Sequence, residues 1–131
     1  MVAAPEGKIE EKLVTKKFEA YFLEPKLFYL KLLRDTRQEI EDVEQNIAFQ
    51  KKHGVDNTYC RVVHAEKYAT ISKAAREYVE NHTMTVKAEA FIIPSIGQKI
   101  LFNLYMKFRK NKNPLRAFDK LEDGLAWLKE Q

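Results

Sequence analysis

The sequence predicts an α/β domain with one mixed, mostly parallel sheet and the element order ββαβαβαβα. Three observations carry this. From Thr36 onward, short runs rich in β-branched residues alternate with longer segments of helical period, which implies parallel strands joined by right-handed crossovers. Ahead of them, two aromatic-rich runs meet at Glu24-Pro25, a hairpin that adds an antiparallel edge. The 131 residues, 45% hydrophobic and 32% charged, suffice for one compact core and leave no room for two ordinary domains.

Residues 1–13 are small and charged and read as a flexible lead-in to a single domain over 14–131. Thr15–Leu23 and Leu27–Leu33 supply the hairpin strands. Thr36–His53 is polar except at Ile40, Val43 and Ile47, the spacing of one buried helical stripe. Thr36 with Glu39 makes a capping box at its start, and Gly54 after Lys51-Lys52-His53 supplies its stop. Tyr59–His64 is short and β-branched, hence a strand. Ser72 caps a helix running to about Asn81, with Ala75, Tyr78 and Val79 inward.

Val86–Ile93 is a second buried strand, ended by Pro94. Ser95 and Gln98 open the next helix with another capping box. Its Ile96, Ile100, Leu101, Leu104, Tyr105 and Phe108 are too many for a thin stripe, so this helix is expected to pack deeply, with Phe102 and Met106 outside the main stripe. Those two residues are the candidates for a homodimer contact or a pocket for an apolar ligand. After Pro114, Leu115–Phe118 is the last strand, and Asp119 caps a final helix with Leu121, Leu125 and Leu128 at i, i+4 and i+7.

The composition excludes more than it assigns. No apolar run exceeds four residues, far short of the ~20 that span a bilayer, so no integral membrane association is expected. The start of the chain has neither a basic segment nor an apolar one of signal type, which points to the cytoplasm. A single cysteine, Cys60, forms no bridge within the chain and suits a reducing compartment. With four glycines and no Gly-x-x-x-x-Gly-Lys-(Ser/Thr), Gly-x-Gly-x-x-Gly, Gly-x-Ser-x-Gly or Cys-x-x-Cys, nothing cradles a phosphate or builds a familiar catalytic site. The expectation is a protein that is not an enzyme and uses no cofactor or metal. His53, His64 and His82 lack ligand spacing. His64 still stands apart, because it ends a parallel strand where α/β ligand sites gather.

The net charge of +4 is local. Lys99, Lys107, Arg109, Lys110, Lys112 and Arg116 fall in a segment without one acidic residue, and without those six the remainder carries −2. Cations at a helix C-terminus complement the dipole and explain part of the cluster. As a patch, Lys107, Arg109, Lys110, Lys112 and Arg116 would suit an anionic partner.

The segments Ser72-Lys73-Ala74-Ala75-Arg76-Glu77-Tyr78, Ala90-Phe91-Ile92-Ile93-Pro94-Ser95, Asn103-Leu104-Tyr105-Met106-Lys107, Asn113-Pro114-Leu115-Arg116-Ala117-Phe118 and Ala126-Trp127-Leu128 carry a resemblance. Together they resemble small bacterial STAS-like proteins of a Bacteroidetes-type branch, relatives of the anti-sigma-factor antagonists that are also grouped with CRAL-TRIO lipid carriers. The resemblance covers roughly residues 14–130. It implies a non-enzymatic domain with the element order given above. It also makes Ser72 and Thr70 regulatory phosphosite candidates, since the antagonists are phosphorylated at the start of the corresponding helix. The antagonists' Asp-Ser-(Ser/Thr)-Gly signature is absent, and His64 stands where an Asp would be expected, so an N-cap role for Ser72 comes first.

The leading expectation is a STAS-like interaction domain, with a regulatory, partner-switching role as one option, that binds a protein partner or a second copy of itself. A carrier or sensor of a small apolar or anionic ligand, lipid-like in character, is the alternative. Nucleic-acid binding through residues 99–116 ranks below both.

Overall fold

The computed structural model describes residues 11–109 and 113–131, the side chains of Leu101, Tyr105 and Phe108 excepted. In chain order the elements are β1 (Leu13–Val14), β2 (Phe18–Glu24), β3 (Leu27–Leu32), β4 (Arg37–Gln38), α1 (Ile40–Lys52), β5 (Cys60–Ala65), β6 (Thr70–Ile71), α2 (Lys73–His82), β7 (Ala88–Ile92), α3 (Ile96–Phe108), β8 (Leu115–Phe118) and α4 (Leu121–Lys129). The main sheet runs β1-β2-β3-β5-β7-β8. Its first three strands are antiparallel neighbours and its last four are parallel. The expected α/β class and strand–helix alternation hold.

Because the parallel strands are neighbours in chain order, right-handed crossovers must put α1, α2 and α3 on one face of the sheet. Among the described residues only α4, which follows the last strand, covers the other. The period-2 alternation of each strand then builds two cores. On the three-helix face, Phe18, Ala20, Phe22, Phe28, Leu30 and Val63 meet Phe49 of α1, together with Val55 and Val86 from the connections. On the opposite face, Tyr29, Val62, Ala88, Ala90 and Ile92 meet Leu128 of α4. A third cluster, Val43 and Ile47 of α1 with Ala75 of α2, lies between the helices. The hairpin turns at Pro25-Lys26, where Lys26 takes a left-handed φ of 65°.

Several local expectations are corrected. Leu13, assigned to the lead-in, pairs with Ala20 of β2, while residues 1–10 lie outside the described residues. The N-cap of α1 is Glu39 rather than Thr36, and its capping partner is Asp42, whose Oδ2 accepts from the Glu39 N–H at 2.8 Å. The cause is tertiary: Arg37 and Gln38 are drawn into β4 by parallel pairing with Thr70 and Ile71, which delays the helix. Asp119 does not cap α4. Lys120 is the N-cap, and Asp119 forms an ion pair with Lys99 instead.

The largest correction concerns α3, which is not deeply packed. Ile96, Ile100 and Leu104 are 78%, 64% and 52% exposed, and none of its described side chains is buried. The helix is rotated by its first turn. Gln98 Nε2 donates to the carbonyls of Glu66 and Ala69 at 3.0 Å each, so the row through Gln98 and Phe102 faces the sheet and the aliphatic row faces out. Phe102 packs on Phe91 of β7 with ring centroids 4.9 Å apart.

Helix α4 crosses β7 at close range. A Cβ added at Gly124 would lie 2.7 Å from Ile92 Cδ1 and 3.4 Å from Ala90 Cβ and Phe118 Cδ1. Gly124→Val is therefore expected to destabilise the fold by about 2 kcal/mol through overpacking, measured as a lower urea midpoint. An unchanged midpoint would contradict this close approach.

Candidate functional site

Strand register determines what the three-helix face presents. β5 and β7 are aligned so that Arg61 lies beside Glu89 and Val63 beside Phe91. Arg61 and Glu89 are 4% and 9% exposed. Buried charges are tolerated only when paired and hydrogen-bonded, and this pair is. Arg61 Nε donates to Glu89 Oε2 at 2.7 Å, Nη1 to Gln50 Oε1 of α1 at 2.8 Å, and Nη2 to the Met84 carbonyl at 3.4 Å. Gln50 in turn donates from Nε2 to Asn46 Oδ1 at 2.9 Å.

Beyond this network the helices do not close on the sheet. They leave a cavity of about 300 Å³, at the small end of the range that ligand pockets occupy. Its sheet side is formed by residues such as Leu30, Val63, Phe91 and Ile93, and its helix side by Val43, Ile47 and Val79. Phe102 and Gln98 form the α3 wall. Polar side chains enter at several points: Arg61 and Glu89 from the sheet, Arg76 and Glu80 from α2, and Arg109 just after α3. The walls are mainly apolar, with a few convergent polar groups, the usual make-up of a small-molecule site.

The residues singled out in the sequence scatter around this hollow. Phe102 lines it, with the inward position reversed from expectation; Met106 is half-buried on the same helix. Thr70 lines it and is exposed. Ser72 is buried, and its Oγ accepts from the Ala75 N–H at 3.1 Å, the geometry of an N-cap.

Three residues of the basic patch, Lys107, Arg109 and Arg116, fall among the described residues. Arg109 turns to the cavity and donates to the Asn113 carbonyl and Oδ1 at 2.7 Å. Arg116 lies over the Phe118 ring at 5.3 Å, and Lys107 is exposed on α3. Lys110 and Lys112 lie outside the described residues. No three His, Cys, Asp or Glu side chains gather as metal ligands among the described residues. No helix in that set is long and apolar enough to cross a membrane.

His64 belongs to the other face of the sheet. Its Nδ1 lies 2.7 Å from the Tyr29 hydroxyl, under the same core that α4 covers. Burial raises the Tyr29 pKa, keeping the phenol protonated. Burial also lowers the His64 pKa, with Lys31 adding to the effect and Glu66 opposing it. Cys60, half-buried on that face, has its thiol pKa raised by burial, which disfavours the reactive thiolate.

Sequence reasoning missed Arg61, Glu89 and Gln50. The signal was present, because a full charge inside each of two otherwise apolar strands needs an opposite partner, and these two strands are sequential neighbours. A protein-family model described as "Domain of unknown function (DUF7793)" matches residues 21–131. The chain belongs to this family. The matched stretch of the DUF7793 domain includes every residue named above as lining the cavity. No curated protein and no solved structure matches the chain.

Two outcomes follow from this geometry. Arg61→Met strands Glu89 and is expected to cost about 3–5 kcal/mol, whereas adding Glu89→Leu to it should restore most of that loss. Urea denaturation of the two variants checks this, and equal loss in both would contradict the pairing. For His64, the unfolded chain holds more protons than the fold near the ordinary histidine value, so stability rises with pH there. The contribution is complete above about pH 6.5 and is lost as pH falls through the lowered value. His64→Gln should flatten that part of the pH–stability curve, and an unaltered curve would contradict the assigned environment.

Proposed function

We propose that this domain is a non-catalytic binding protein, a carrier or sensor, that holds a small ligand in the cavity between the sheet and α1, α2 and α3. The observation that carries the reading is the cavity itself. A largely apolar, half-open cleft of about 300 Å³ is left between the helices and the sheet, where protein interiors ordinarily pack as densely as organic crystals. An apolar hollow of this kind forfeits contacts that a ligand would restore. The non-catalytic character draws on the STAS-like resemblance, which we retain as part of the proposal. A reducing, cytoplasmic location fits the lone Cys60.

Partner docking, whether to another protein or to a second copy, is the second reading. It rests on the outer face of α3, where Ile96, Ile100 and Leu104 stand exposed in one row. The two readings use opposite faces of the same helix, so one experiment separates them. Native mass spectrometry of protein purified from its own host should report a bound small-molecule mass that is released on unfolding. Ala65→Phe, which places a ring in the cavity, should lose that mass, while Ile100→Glu on the outer face should keep it. Bare protein from the host would contradict the carrier reading, and a homodimer abolished by Ile100→Glu would favour the docking reading.

A further inference from the structure

Arg76 stands out when the charges of the cavity are followed one by one. Of the three carboxylates that line it, Asp42 is held by Lys17 at 3.0 Å, Glu89 is held by Arg61, and Glu80 is engaged as well. Of the three guanidinium groups, Arg61 is neutralised by Glu89 and also donates to Gln50 and the Met84 carbonyl, and Arg109 donates from Nη2 to Asn113. The Arg76 side chain lines the same cavity, is half-buried, and makes no hydrogen bond or ion pair with any other described residue. A guanidinium taken partly out of water without an anion is costly, and its rigid fork of donors matches a carboxylate in bidentate fashion.

We propose that Arg76 is the anchor of the cavity and that the ligand is a small amphipathic carboxylate. The carboxylate is held by the Arg76 fork, and the apolar body lies against Val79, Ile47, Val63 and Phe102. This rests on the reading of the cavity as a ligand site and adds the chemical class to it. The placement of Arg76 on the first turns of α2 accounts for its reach: Ser72 caps that helix, and Val79, one turn beyond Arg76, lines the same hollow. The polar end and the apolar wall of the site thus belong to one helix face. Arg61 does not serve as the anchor, because the Glu89 carboxylate already neutralises its charge, and three of its five N–H groups donate to Glu89, Gln50 and a carbonyl.

The test uses three eight-carbon probes that differ only in the head group: octanoate, 1-octanol and octylammonium, titrated into the intact protein by isothermal calorimetry. Octanoate is expected to bind about tenfold or more tighter than octanol, the scale of a charge-assisted hydrogen bond, and octylammonium to bind weakest. In Arg76→Gln the advantage of octanoate over octanol should vanish while octanol binding persists, which also shows that the variant is folded. Arg76→Lys, which keeps the charge and loses the fork, should retain only part of it. Equal affinity for octanoate and octanol, or an octanoate preference that survives Arg76→Gln, would overturn the carboxylate assignment and leave the cavity reading intact. Binding of none of the three probes would overturn both.

Discussion

Much of the fold is organised around the ion pair that links β5 to β7 under the helices. A guanidinium and a carboxylate cannot be buried without a full set of partners, and here the partners come from three places in the chain. Gln50 fixes α1 against the sheet, and the Met84 carbonyl fixes the segment that leads into β7. The parallel register of the two strands brings the charges together. Arg61 sits beside Phe28 in register and also lines the cavity, so it marks where aromatic packing gives way to a hollow. Toward Phe49 the helix face is filled by rings; toward Ile93 a hollow remains beside the Phe91–Phe102 pair.

Helix α3 is the other half of the account. A helix with many apolar residues ordinarily buries the widest apolar stripe it has, yet this one turns Ile96, Ile100 and Leu104 outward. The two hydrogen bonds from Gln98 to the Glu66 and Ala69 carbonyls set its rotation, and those carbonyls belong to the loop between β5 and β6. The small parallel pair β4-β6 ties that loop to the one after β3. The rotation of α3 is thus dictated by backbone groups distant in sequence. Its inner face then closes a cavity, and its outer face is left apolar.

This explains what the sequence could and could not reveal. Element type and order were legible because period 2 and period 3.6 are local properties, and Ser72 and Ser95 cap their helices as their positions imply. The two-residue strands were not legible, since Arg37-Gln38 becomes a strand only when Thr70-Ile71 lies beside it. Thr36 and Asp119 have good capping chemistry but are claimed by other partners: the Leu33 carbonyl for Thr36, Lys99 for Asp119. The site was half-legible. Phe102 was singled out for being off the main stripe of its helix, which is why it lines the cavity. Arg76 was visible only as one residue of the Ser72–Tyr78 segment, because whether an arginine has a partner is a property of the assembled fold.

The central claim is that ligand enters the hollow between the sheet and α1–α3 rather than resting on the outside of α3. Intermolecular nuclear Overhauser effects between octanoate and the methyl groups of the protein test this most directly. The account predicts contacts from the alkyl chain to Val63, Val79 and Ile47, and none to Ile96, Ile100 or Leu104. Contacts confined to those three outer residues, with none to the cavity methyls, would contradict it.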